Sequence, residues 1–78
     1  MSLLEKYTEL AKHKSDASLA NAVKDIKACW AANPDFEDID GPHADYAIKL
    51  WAEWDAYIVE MASRAAAEYK RQTKGNAQ

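Results

Sequence analysis

From Pro42 to Thr73 the chain has no internal glycine or proline, and its apolar positions recur at spacings of three and four. Placed at about 100° per residue, Ala47, Leu50, Trp51, Trp54, Ile58, Met61, Ala62, Ala65 and Tyr69 share one side, the mark of an amphipathic helix. The other side collects Asp45, Lys49, Glu53, Glu60, Ser63, Arg64, Lys70 and Arg71. Within it, Asp45–Lys49 and Glu60–Arg64 are acid-before-base pairs four apart. Asp40-Gly41-Pro42 supplies a start: a cap candidate, then a proline near the first turn, where a missing N–H does no harm. Lys70, Arg71 and Lys74, followed by Gly75, supply the stop. Residues 75–78 are expected to fray.

Two shorter helices precede this one. Ser2 to about Lys14 has Ser2 as cap, Glu5 three residues on, and Leu3, Leu4, Tyr7, Leu10 and Ala11 on one face. Ser18 to Ala32 carries Leu19, Val23, Ile26 and Trp30 as its stripe. On one straight helix the two stripes would sit roughly 130° apart, too far for a single partner surface. A kink or short turn is therefore predicted within Lys14-Ser15-Asp16-Ala17-Ser18, where serine and aspartate can cap. Asn33-Pro34 ends the second helix, because proline disfavours helical geometry in the residue before it. Phe36 and Ile39 are expected to tuck the following connection onto the helix ends.

These lengths define an all-α fold in which two short helices pack on one long C-terminal helix. The short connection makes the second helix antiparallel to the first half of the long one. The first helix then either continues along the second half, giving a kinked helical hairpin, or folds back into a three-helix bundle that leaves Met61, Ala65 and Tyr69 uncovered. Either way more apolar face remains than 78 residues easily bury, so a homodimer is expected.

Composition narrows the chemistry. The single cysteine, Cys29, excludes an intramolecular disulfide and a thiolate metal cluster, and reads as a small buried or half-buried thiol. No apolar run approaches the roughly 20 residues a membrane span needs, and Met1-Ser2-Leu3-Leu4-Glu5 has no signal-peptide layout. A soluble cytoplasmic setting without membrane contact is the expectation. Charge is segregated: residues 33–46 hold Asp35, Glu37, Asp38, Asp40 and Asp45 with no lysine or arginine, whereas Arg64, Lys70, Arg71 and Lys74 face only Glu68 near the C-terminus. The net charge of −3 argues against a general nucleic-acid binder.

No constellation suits catalysis or a cofactor. Asp38-Ile39-Asp40-Gly41 resembles the middle of a calcium-binding EF-hand loop. Aligning Gly41 with the loop glycine, however, puts Phe36 at the first ligand position and Ala47 at the bidentate-glutamate position, so the ligands calcium needs are missing. Asp38, Asp40 and His43 could offer only a weak, adventitious ion site. His13 and His43 each lack a second histidine or cysteine at ligand spacing. His43 has Asp40 and Asp45 near it but no nucleophile to activate. With glycine only at positions 41 and 75, a phosphate-cradling loop is absent.

The remaining signal is interaction. Trp51, Trp54, Tyr57 and Tyr69, with Trp30 on the second helix, stand at core spacing, while Tyr46 and Tyr57 also lie at the margin of the stripe among Glu53, Glu60 and Arg64. The expectation is a small non-enzymatic protein-interaction module, for instance an inhibitor or accessory subunit of a larger complex. Its predicted contact residues are Asp35, Glu37, Asp38, Asp40, Asp45, Tyr46, Glu53 and Tyr57, an acidic set able to meet a basic groove. The alternative is a nucleic-acid-binding regulator using Lys70, Arg71 and Lys74.

Overall fold

Ser2 opens the fold as an N-cap: its Oγ accepts the Glu5 N–H at 3.1 Å and donates to the Glu5 carboxylate at 3.3 Å. The computed structural model describes residues 2–76, with side chains described through Thr73. Helix α1 spans Leu3–Lys12, α2 Asp16–Ala32 and α3 Ala44–Asn76, with a single 3-10 turn at Pro34–Phe36. The break between α1 and α2 falls at His13–Ser15, overlapping the predicted Lys14–Ser18 at Lys14 and Ser15, while Asp16–Ser18 are already helical. Ser15 caps α2 by accepting the Ser18 N–H at 3.1 Å, so α2 begins two residues before Ser18 and α1 ends at Lys12.

Both short helices pack on α3, and the contacts run in opposite orders. Tyr7 meets Tyr57, and the carbonyls of Ala11 and Lys14 meet Arg64, so α1 lies parallel to α3. Along α2 the partners descend, from Asp16 at Arg64 to Trp30 against Trp51 and Trp54, so α2 is antiparallel. This is the folded-back three-helix arrangement, not the extended hairpin. The core holds Tyr7, Ala11, Leu19, Ile26, Leu50, Ala56 and Tyr57, with Trp30, Cys29, Phe36, Trp54 and Met61 half-buried around it.

Arg64 locks the α1–α2 turn onto α3. Its Nη2 donates to the carbonyls of Lys14 at 2.7 Å, Ala11 at 3.2 Å and Lys12 at 3.5 Å around the C-terminal end of α1, where the Ala11 carbonyl also accepts the Lys14 N–H at 3.2 Å. Nη1 donates to Asp16 at 2.7 Å and Nε to Glu60 at 2.8 Å. The predicted Glu60–Arg64 pair is thus one arm of a larger clamp. The bond to Asp16, followed by that to Glu60, pushes the guanidinium pKa up, and the group stays charged.

Wrapping α3 from two sides changes which face is buried. The single stripe read from spacing put Lys49, Glu53, Glu60 and Arg64 in solvent, but Glu53, Glu60 and Arg64 are half-buried. Ala56 is also buried, on a flank outside that stripe, whereas Ile58, Ala62 and Ala65 are exposed. On α1 only Tyr7 and Ala11 are buried, while Leu3, Leu4 and Leu10 stay exposed. The α3 boundaries also differ from expectation. The first helical bond runs from the Ala47 N–H to the His43 carbonyl, so Pro42 and His43 belong to the preceding turn. At the other end the helix continues through Gly75 to Asn76, and the rest of the predicted frayed tail, residues 77–78, lies outside the described residues.

Candidate functional site

The acidic connector is held by two indoles. Trp30 stacks against Trp51 with ring centroids 4.5 Å apart, and each donates its Nε1–H to a connector carbonyl. Trp30 reaches Phe36 at 3.0 Å and Trp51 reaches Glu37 at 2.8 Å. Phe36 then sets its ring edge-on to Tyr46 at 4.9 Å and His43 at 5.2 Å. Ile39, the other residue expected to anchor the loop, is exposed. Asp38 closes the next turn: its Oδ1 accepts the Asp40 N–H at 2.9 Å and its carbonyl accepts the Gly41 N–H at 3.2 Å. A Cβ at Gly41 would come within 2.9 Å of the Asp38 carboxylate, so the turn is tight against a side chain there.

On this platform Asp35, Glu37, Asp38, Asp40 and Asp45 are all exposed. Among the described residues none of the five lies within ion-pair distance of a base; Lys49, expected opposite Asp45, pairs with Glu53 at 3.6 Å. Tyr46 is exposed beside them, with the Lys49 ammonium 5.7 Å from its ring centroid. Six of the eight predicted contact residues therefore share one end of the molecule.

The other two do not join them. Glu53 is half-buried on the α3 flank beside Tyr7. Tyr57 is only 5% exposed, edge-on to the Tyr7 ring at 6.5 Å, with the Lys14 ammonium 5.7 Å from its own ring. Its marginal place on the wheel becomes central once α1 covers that flank. Burial, then the nearby Glu53 charge, push the Tyr57 phenol pKa up, and the same two causes raise Tyr7. Tyr57 is a core residue.

A second surface was not legible in the single stripe. Ile48, Ile58, Val59 and Tyr69 stand exposed on the outer side of α3, Val59 at 64% and Tyr69 at 70%. Ile48, Asp55, Ala62 and Tyr69 are seven apart, with Ile58, Val59, Ala65 and Ala66 filling the intervening positions. That heptad spacing is the signal that could have found it. Beyond Arg64 neither short helix continues, and an open recess of about 610 Å³ lies in the crook beside Asp16, Met61, Arg64 and Glu68.

Among the described residues no three His, Cys, Asp or Glu side chains converge as metal ligands. His43 faces the Phe36 ring, and His13 lies 3.5 Å from Glu9 on the surface. No helix among them is long and apolar enough to cross a membrane. Comparisons with protein-family models, curated proteins and solved structures return no match.

Proposed function

We propose that the protein is a small interaction module that binds a basic surface of another protein through its acidic connector and that also self-associates. It acts by occupying that surface, as an inhibitor or accessory subunit would, and not by catalysis. One observation carries the reading: four exposed carboxylates on a connector held by two indole N–H bonds, with Asp45 exposed in the first turn of α3 beside them, have no basic partner among the described residues. Like charges left close together oppose folding, whereas a rigid acidic platform raises encounter rates with a basic partner and fixes the register of docking. The nearly satisfied Arg64 and the Arg71–Glu68 pair leave the C-terminal end a poorer electrostatic surface for nucleic acid.

The test is co-purification from the source cell with wild type and with a variant carrying Asp35→Lys, Glu37→Lys, Asp38→Lys and Asp40→Lys. Loss of a wild-type partner in the variant, with helical content unchanged by circular dichroism, supports the reading. Equal recovery of the same partners by both proteins overturns it.

A further inference from the structure

We infer that the outer face of α3 is covered by the same face of a second copy, running antiparallel about a two-fold axis between Ile58 and Val59. This rests on the self-association just proposed and assigns its surface and direction. Residues related by that axis have numbers summing to 117, which sets Ile48 against Tyr69, Trp51 against Ala66, Asp55 against Ala62, and Ile58 against Val59. A bulky side chain meets a smaller one in the second and third pairs, the interdigitation close helix packing requires.

Charge chooses both the partner and the direction. At about 1.5 Å per residue, Asp45 and Arg71 lie roughly 39 Å apart on α3. A parallel pair would set the connector acids and Asp45 of one copy against the same five acids of the other. The antiparallel pair brings each connector to the last turns of the other copy, where Asp45 falls opposite Gln72, within a turn of Lys70. Asp45 and Lys70 lie about 20° apart around the helix, so the two-fold axis places them on one edge of the interface.

Area fits as well. α3 is about 50 Å long and about 10–12 Å across, so two such faces remove roughly 1,000–1,200 Å² from water. That is the low end for a specific interface, and predicts a reversible dimer. Asp55 limits it, because its carboxylate is desolvated against Ala62 of the second copy.

The experiment combines sedimentation equilibrium with cross-linking in a Cys29→Ala background, since Cys29 is half-buried and would otherwise react. At about 100 µM, a concentration suited to a weak interface, the chain should sediment partly as a dimer of the 8.7 kDa protomer. A bismaleimide of about 8–10 Å, matching helix packing distance, should link Val59→Cys to itself. Ile48→Cys or Tyr69→Cys alone should not self-link, because their copies are roughly 32 Å apart at about 1.5 Å per residue. Mixed together, those two variants should link. Val59→Asp should weaken the dimer at least about tenfold, and Asp55→Ala should tighten it.

A monomer at that concentration, or self-linking at Ile48 or Tyr69, overturns the inference. Either result leaves the acidic platform standing if the charge-reversed variant still loses its partner, so the two readings fail separately.

Discussion

Replacing Trp30 by phenylalanine isolates the bond that holds the connector. The Trp30 Nε1–H reaches a half-buried carbonyl, that of Phe36, whereas the Trp51 Nε1–H reaches the Glu37 carbonyl at the surface. Removing the Trp51 donor lets water take its place, at about 1 kcal/mol for an ordinary exchanged hydrogen bond. Removing the Trp30 donor strands an acceptor that water reaches poorly, adding about 1–2 kcal/mol of unmet desolvation. The Trp30 ring also contacts both Trp51 at 4.5 Å and Trp54 at 5.2 Å, and a smaller ring loosens both. Trp30→Phe should therefore cost about 2–3 kcal/mol and Trp51→Phe about 1 kcal/mol.

Those costs are large here. At about 0.05–0.15 kcal/mol per residue the whole domain is worth roughly 4–12 kcal/mol. With a urea slope of about 1 kcal/mol/M for so small a chain, the midpoints should fall by about 2–3 M and about 1 M. Circular dichroism at 222 nm is the assay, since removing a tryptophan confounds fluorescence. Hydrogen exchange adds a local readout: the Phe36 and Glu37 amides, bonded to Asn33 and Pro34, should open faster in Trp30→Phe than the global loss predicts. Equal midpoints for the two variants, or a larger loss for Trp51→Phe, would refute the argument from carbonyl burial.

The core makes two further predictions. Leu19→Ala, at a fully buried position, should cost about 2–5 kcal/mol, and Tyr57→Ala about 3–5 kcal/mol. A Tyr57 that served only as a partner contact would leave the urea midpoint unchanged. Arg64→Met should speed exchange across α1 more than across α2, and Arg64→Lys should not rescue it, because one ammonium cannot serve carbonyls and two carboxylates together. Wild-type exchange in either variant would remove the clamp from the account. Tyr7 and Tyr57 ionise with raised pKa values when folded, so their contribution is complete below the ordinary phenol value near 10 and is lost as pH rises beyond it. Thermal midpoints should be insensitive to these phenols below pH 10, then fall, and Tyr57→Phe should soften the fall; an unsoftened curve in both Tyr7→Phe and Tyr57→Phe contradicts it.

What could be read from the chain follows the physics of each element. The Ser2–Glu5 cap, the break between α1 and α2 and the stop before Pro34 are local effects, decided within a few residues, and spacing found them, the break to within two residues. The helix start at Ala44 was misplaced because Asp38, not Asp40, organises the turn: its side chain takes the Asp40 N–H and competes with the expected cap. The larger error concerned α3. A single-stripe wheel assumes one neighbour, but α1 and α2 occupy different flanks, so Ala56 and Tyr57 are buried while Ile58 turns outward. That burial is tertiary, and only knowing that α1 folds back beside Glu53 and Arg64 could have supplied it. The acidic connector was legible because unpaired charge needs no packing to be noticed.

The same clamp that completes the bundle fixes where the bundle stops. Arg64 spends its donors on the end of α1 and the start of α2, so both companions terminate there. The twelve residues from Ala65 to Asn76 then extend α3 by roughly 18 Å with no helix beside them among the described residues. An isolated helical extension of that length is marginal in water, since helix formation is cooperative and short segments lack packing to hold them. Its alanines at 65, 66 and 67 favour the helix intrinsically but bury little. The extension is therefore the part of the fold most dependent on an external surface, and in the proposed antiparallel dimer the connector end of the other copy would supply one. An amide-exchange profile in which residues 65–73 gain protection with rising protein concentration, while α1 does not, would show that the two ends meet; protection independent of concentration would show that the extension stands alone.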